Sequence, residues 1–223
     1  MTPLILQYWH NEPPPDVGQL MDGWKAASEE GFCYRLFDDA AALEFIGQHY
    51  DNRIRSAYLS CAVPAMKSDL LRLCVLLVQP GLYVDSDFRR QRAPLMPLFG
   101  RLTRGLLYKK EFAFQPPRIT NSVIVVSEPG DRLLRVLLQT AVDNIERRIS
   151  NNVWEVTGPA IATRLFRELG PAHDLFDGFE LWSSEDLEPY LQHVSKLQYK
   201  SSADHWVMAQ AAGSIFAPLA PFE

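Results

Sequence analysis

Gly81-Leu82-Tyr83-Val84-Asp85-Ser86-Asp87 reads as a short buried strand that runs straight into two carboxylates. Leu82, Tyr83 and Val84 are strand formers with no charge among them. Gln79-Pro80-Gly81 is the turn that feeds this strand. Upstream, the stretch from Ala65 to Val78 is apolar nearly all round, which predicts a buried helix, with Pro64 suited to its start. Asp69 and Arg72 interrupt it at i, i+3 spacing and so share a face. In an open α/β sheet, ligands bind outside the carboxyl ends of the strands. Asp85 and Asp87 stand at that end of the predicted strand. Two carboxylates one residue apart can reach one hard cation, which in turn can hold a diphosphate.

The flanking chain predicts the same architecture. Pro3 to Trp9 reads as a first strand, and the proline-rich loop Asn11 to Pro15 stops it. Asp16 is the expected N-cap of a helix carrying Val17, Leu20, Met21, Trp24 and Ala27, ended by Gly31. Phe32 to Phe37 is a second strand, and Asp38 or Asp39 caps the next helix. A further short helix is expected over Asp51 to Ala62. After Asp87 comes a basic stretch from Arg89 to Lys110, mixed with leucines, in which Pro94, Pro97 and Gly100 argue against one regular helix. Asn121 to Val126 is a strand, and Pro129-Gly130 turns it into an amphipathic helix reaching Ile149. Thr157-Gly158-Pro159 opens another helix that stops at Gly170, and Phe179 to Trp182 is a late strand. The tail carries Asp204-His205-Trp206 and an apolar, proline-broken end. With no repeat, linker or shift in composition, residues 1–223 are expected to form a single α/β domain, a mostly parallel central sheet flanked by helices.

Composition narrows the class. Apolar residues at 47% and charged ones at 22% match an ordinary globular protein. A net charge of -5 argues against nucleic acid as a partner. Cys33, Cys61 and Cys74 form no C-x-x-C pair, so a disulfide scaffold or zinc site is not expected, and a reducing compartment suits them. No basic-then-apolar leader and no apolar run of membrane-spanning length is present in the sequence. A cytoplasmic location is the expectation.

Taken together, Leu6-Gln7-Tyr8-Trp9, Lys67-Ser68-Asp69-Leu70-Leu71-Arg72, Gly81 to Asp87, Asn121-Ser122-Val123-Ile124, Thr157-Gly158-Pro159 and His205-Trp206 form a familiar order. From Ile5 to about Trp206 the chain resembles the DXD-containing sugar transferases of the glycosyltransferase 32 type. Those include initiating mannosyltransferases, capsule and lipopolysaccharide sugar transferases of polysaccharide biosynthesis and, more distantly, the clostridial glucosylating toxins. The resemblance implies a GT-A fold, a nucleotide-sugar donor (a UDP- or GDP-sugar), Mn²⁺ or Mg²⁺, and retention of anomeric configuration. It implies a glycan, lipid-linked or protein acceptor. By position it gives Asp85 and Asp87 the metal, ribose and diphosphate, and Asp69 and Arg72 the hydroxyls of the donor sugar. It sets Trp9 against the base, puts Tyr83 and Asn121 on the pocket wall, and brings His205 toward the diphosphate or metal. Two features depart from the pattern. Pro80-Gly81 stands where two glycines are usual, and Val207-Met208-Ala209-Gln210 follows His205 where a second tryptophan is common.

Each residue also has a plain structural reading. Asp85 and Asp87 could be a solvated turn, Asp69 and Arg72 a structural ion pair, and Trp9 and Tyr83 core aromatics. The basic run from Arg89 reads either as a solvated surface or as a patch facing an anionic acceptor at the inner membrane surface. Two other functions compete with sugar transfer. One is a haloacid-dehalogenase-type phosphohydrolase, although that type sets its Asp-x-Asp near the N-terminus. The other is a non-catalytic nucleotide-sugar-binding or scaffolding module of the same fold.

Overall fold

A computed structural model describes residues 1–201 and 205–218 of the chain. The chain opens with β1 (Leu4–Tyr8), α1 (Pro15–Lys25), a 3-10 turn (Ala26–Glu30), β2 (Cys33–Phe37), α2 (Asp39–His49) and α3 (Asn52–Leu59). Its centre is α4 (Pro64–Val78), β3 (Gly81–Val84), β4 (Phe88–Arg90), α5 (Leu95–Arg101), β5 (Gly105–Phe112) and β6 (Gln115–Val126). There follow α6 (Arg132–Glu146), α7 (Val153–Val156), α8 (Ala160–Leu169), β7 (Phe179–Trp182), α9 (Ser184–Leu187), β8 (Leu191–His193), a 3-10 turn (Gln198–Ser201) and α10 (Trp206–Ala212).

The main sheet has the order β2-β1-β3-β6-β5-β7. All its strands run one way except β6, which is antiparallel to both neighbours. Period-two alternation sorts the side chains between two layers. Leu4, Leu6, Tyr83, Ile124 and Val126 pack under α2, α3, α4 and α6. Ile5, Leu82, Val84, Val123 and Val125 face Trp24 of α1 and Leu95 and Leu98 of α5. Covered on both faces, the central strands read as continuous apolar runs. The carboxyl ends of β1 and β3 therefore open on one edge, and antiparallel β6 enters the sheet there.

The structure amends several expectations. Asp16 does not cap α1. Pro14 holds the cap position, and Asp16 sits in the first turn, accepting from the Gln198 amide at 2.9 Å. Helix α1 ends at Lys25, and Gly31, at φ 100°, closes the 3-10 turn instead. Ile149 lies past the end of α6 and is exposed. The stretch from Arg89 to Lys110 is not one helix, as its breakers require, but neither is it a loop: it builds β4, α5 and most of β5. Three of its cations meet distant acids, in the pairs Arg90–Glu30, Arg101–Glu180 and Arg104–Asp131, and Lys109 pairs with its near neighbour Glu111. Asp204 and the final residues 219–223 lie outside the described residues.

Gly81 explains one constant of the central stretch. A Cβ on it would stand 2.1 Å from the Leu4 carbonyl oxygen, because β3 pairs tightly with β1. Gly81→Ala must part the two strands on which the site is built. It should lower stability by about 3 kcal/mol or more, read from urea denaturation. A loss below about 1 kcal/mol would show that the β1–β3 pairing can yield there.

Candidate functional site

Arg72 is the anchor of the site. It sits on α4 with 3% of its surface exposed, beside Asp69 at 5%. Their side chains pair at 2.9 Å. The Arg72 Nε donates to the Ser68 carbonyl at 3.1 Å, its Nη1 to the Asn121 carbonyl, and its Nη2 to Ser68 Oγ at 3.0 Å. The guanidinium lies 4.0 Å from the centre of the Tyr83 ring. Asp69 also accepts from Asn121 Nδ2 at 2.7 Å and from Thr157 Oγ1 at 2.8 Å. Burial pushes its carboxyl above the ordinary value even with Arg72, Thr157 and Asn121 pulling it back.

Asn121 reaches this network through an irregularity in β6. Leu107 faces Ile124, but the next residue of β5, Tyr108, faces Thr120, leaving Asn121, Ser122 and Val123 without partners on β5. Such bulges re-aim side chains. Here the bulge turns the Asn121 carbonyl toward Arg72 and its amide toward Asp69.

A hydrogen-bond chain leads on to the first carboxylate. The Tyr83 hydroxyl donates to Asp85 Oδ1 and lies 2.9 Å from Ser68 Oγ. A phenol has one proton, so Ser68 donates to Tyr83 while accepting from Arg72. The chain runs Arg72, Ser68, Tyr83, Asp85. Arg72 Nη2 also stands 3.5 Å from Asp85 Oδ1. Burial pushes the Asp85 carboxyl up to about 6, Arg72 opposing and Asp87 adding to the rise.

Asp87 has the opposite surroundings. Strands β4 and β8 pair, Phe88 opposite His193, and bring the C-terminal segment over it. The Val194 amide donates to the Asp87 carbonyl at 2.8 Å. Lys200 Nζ lies 2.7 Å from Asp87 Oδ2, and His193 Nε2 lies 3.3 Å from the same oxygen. Burial opposes the charge, but His193 and Lys200 outweigh it and hold this carboxyl below the usual range. Asp87 Oδ1 is buried with no hydrogen-bond partner among the described residues.

Ser68, Asp69, Arg72, Asp85 and Asp87 line one cavity of about 420 Å³, whereas Thr157, His193 and Lys200 are not part of its lining. Trp9, Tyr83, Asn121 and His205 line it as well. Trp9 packs edge-on against Tyr199, ring centres 5.0 Å apart, over Val17, Leu20 and Met21. His205 stands at the N-terminus of α10, where burial and the charge of Lys200 hold its imidazole below the ordinary value. Among the described residues, Asp85, Asp87 and His205 do not close into a metal-holding trio. Beside the pocket, Asp38 caps α2 and leaves Asp39 free to accept from Tyr8 and Tyr58 and to pair with Lys67. That cluster ties the end of β1 to α2, α3 and α4.

The sequence reading named neither Lys200 nor His193. No local pattern marks them, since they reach Asp87 only by the β4–β8 pairing. Ser68 and Thr157 lay inside quoted motifs without a role. Arg118, Phe112 and Trp154, which also line the cavity, went unremarked because the strand carrying Phe112 was not foreseen.

The donor set suits a hard divalent cation. The Asp87 oxygen left without a partner in a buried setting is the kind of ligand such an ion satisfies, and Asp85 adds a second carboxylate.

The contrast between the two carboxylates has a measurable consequence. The folded Asp85 carboxyl binds its proton more tightly than the ordinary value of 3.8. Its charge therefore costs stability above about pH 6, and the cost fades as pH falls toward about 4. In chelator, Asp85→Asn should raise the melting temperature at about pH 7.5 and lose most of that gain by about pH 4.5. A gain independent of pH, or none at all, would contradict this placement of Asp85.

Residues 14–100 match the family model described as the glycosyltransferase sugar-binding region containing the DXD motif. The match takes in Asp69, Arg72, Tyr83, Asp85 and Asp87, and stops short of Asn121, Thr157, Lys200 and His205. No curated protein matches the chain in sequence. Among solved structures, it is similar to a glycosyltransferase involved in glycosylation of the major capsid of PBCV-1, at 9% identity and a TM-score of 0.54, covering 92% of this chain and 98% of that one. It is more loosely similar to the PaToxG glycosyltransferase, at 17% identity and a TM-score of 0.49, covering 74% and 69%. The UDP-bound glycosyltransferase domain of the YGT toxin follows at 11% and 0.41, covering 85% and 57%. Residues 14–100 are thus similar to a DXD-type sugar-binding region, and the fold as a whole is similar to that of a solved glycosyltransferase.

Proposed function

We propose that this chain is a metal-dependent, retaining glycosyltransferase that moves a hexose from a UDP- or GDP-sugar to a glycan, lipid-linked or protein acceptor. One observation carries the reading: the Asp85–Asp87 pair and the Asp69–Arg72 pair line the same cavity. A cation site and a rigid, buried hydrogen-bonding floor thereby share one space. The reading treats residues 1–223 as one catalytic domain. Retention of configuration rests on the resemblance alone, and a cytoplasmic setting on the cysteine pattern and sequence composition. The ion pairs within the basic run remove most of the support for contact with the inner membrane surface.

In this reading Asp87, through Oδ1, and Asp85 hold the Mn²⁺ or Mg²⁺. That ion supplies Lewis-acid stabilisation of the charge that grows on the leaving diphosphate. Lys200 holds Asp87 in its ionised form and presents a second positive charge beside it. Asp69 keeps one acceptor position on Oδ2 beyond its bond from Thr157, enough to orient one hydroxyl of the donor sugar. The fixed Arg72 and Asn121 dipoles need no reorganisation as charge develops at the sugar carbon. Trp9 and Tyr199 wall the side of the cavity expected to receive the base.

The test is titration calorimetry of UDP and of GDP, with Mn²⁺ and with chelator. Wild type should bind one of them only with metal. Asp87→Ala and Asp87→Asn should lose that binding, since the amide keeps the shape without the charge. Equal binding in chelator, or transfer by Asp87→Ala at the wild-type rate, would sink the proposal. Metal-dependent release of nucleoside diphosphate from the donor separates an enzyme from a non-catalytic module. For Asp69→Asn, transfer should fall by about 10²-fold or more while nucleotide binding persists. The melting temperature should fall too, because Arg72 loses its closest counter-charge.

A further inference from the structure

Beyond Asn121, strands β5 and β6 leave the sheet as a hairpin that overhangs the cavity. In its register Lys110 stands directly opposite Arg118, and both line the cavity. Like charges directly opposite in an antiparallel pair destabilise it. Among the described residues, neither is in an ion pair, whereas the neighbouring Lys109 pairs with Glu111 at 2.7 Å. Arg118 is nonetheless held in place. It donates to Gln115 Oε1 at 2.7 Å, and its guanidinium lies 4.8 Å from the Phe112 ring and 5.5 Å from the Trp154 ring. A weakly hydrated guanidinium fixed between aromatic rings is well prepared to take an anion. From Asn121 to Arg118 is about 10 Å of strand, so the cation pair lies outside the space assigned to the donor sugar.

We infer that Lys110 and Arg118 form an anion-binding acceptor subsite, and that the acceptor is a sugar bearing a carboxylate or a phosphate, its ring against Phe112 and Trp154. This rests on the transfer reading above and names the acceptor class within it. The two cations answer the anion. The exposed aromatic surface beside them, Phe112 being 40% exposed, answers the apolar face of a sugar ring better than it answers an acidic side chain.

The experiment is saturation-transfer NMR on the full chain loaded with UDP and Mg²⁺, so that no probe enters the diphosphate site. The probes are methyl glucuronide, glucose 6-phosphate, methyl glucoside and an acidic peptide. At least one anionic sugar should bind on the order of tenfold more tightly than the neutral glucoside. The two anionic arms tell carboxylate from phosphate. Lys110→Gln and Arg118→Gln should each remove most of that preference. Their melting temperatures should equal or exceed wild type, because a repulsion is relieved. Equal binding of charged and neutral sugars, or a preference that survives both substitutions, would overturn the subsite. An acidic peptide that displaces the sugar and binds more tightly would overturn it in favour of a protein acceptor. If UDP fails to bind, GDP takes its place; if neither binds, the donor reading falls, and the same probes without nucleotide still decide the subsite.

Discussion

The charge on Arg72 has almost no access to water, and the site is arranged around keeping it satisfied. An ionised group taken from water costs several kcal/mol unless partners replace the solvent. Here the replacements come from four places: Ser68 and Asp69 on the same helix, Tyr83 and Asp85 from β3, Asn121 from the bulge of β6, and Thr157 acting through Asp69. Those four segments can be brought together in few ways that leave the guanidinium paired. The same bonds that satisfy Arg72 therefore fix the height of β3 against α4 and the position of the bulge in β6. A pocket floor built in this way presents its polar groups in one fixed arrangement.

From that floor outward, the two carboxylates of the DXD stretch are given opposite characters. Asp85 shares its proton economy with Tyr83 and lies beside a second acid, so its charge is held reluctantly. Asp87 is kept ionised by groups that arrive from the far end of the chain. Two like charges so close would otherwise oppose one another. Lys200 relieves that opposition at Asp87 Oδ2 and leaves Oδ1 bare. The division leaves one carboxylate whose charge is supported and one neighbour whose charge is opposed by burial, rather than two equivalent ones.

What was legible in the sequence follows the range of the interactions. The apolar stretch of α4, the β3 strand and the i, i+3 spacing of Asp69 and Arg72 are local patterns, and each appeared where the residues placed it. Strand β5 was hidden because its apolar residues stand among cations, and a four-residue buried run does not announce whether it is strand or helix. Asp16 was misread as a cap because proline before it takes the cap position and leaves the acid free to bond a distant amide. Lys200 and His193 were beyond reach. Their role comes from a three-residue strand pairing, which no periodicity encodes. Trp9 lines the cavity and is also packed over α1, so its place in the core and its exposure to the cavity belong to the same side chain.

Strand β6 joins the two halves of the site, and its irregularity separates their duties. On the sheet side of the bulge, Ile124 to Val126 pair with β3 and β5 and belong to the core. On the other side the backbone would be short of partners near Ile119, and Thr163 of α8 supplies them: its hydroxyl accepts from the Ile119 amide and donates to the Ile119 carbonyl, both at 3.1 Å. The hairpin is thus anchored at its base while its tip, with Phe114 fully exposed, is left in solvent. Changes at Lys110, Phe112 or Arg118 are insulated from the Arg72 network by that anchor. The hairpin wall and the Arg72 floor therefore share a strand but not a hydrogen-bond network, so the first can vary without disturbing the second.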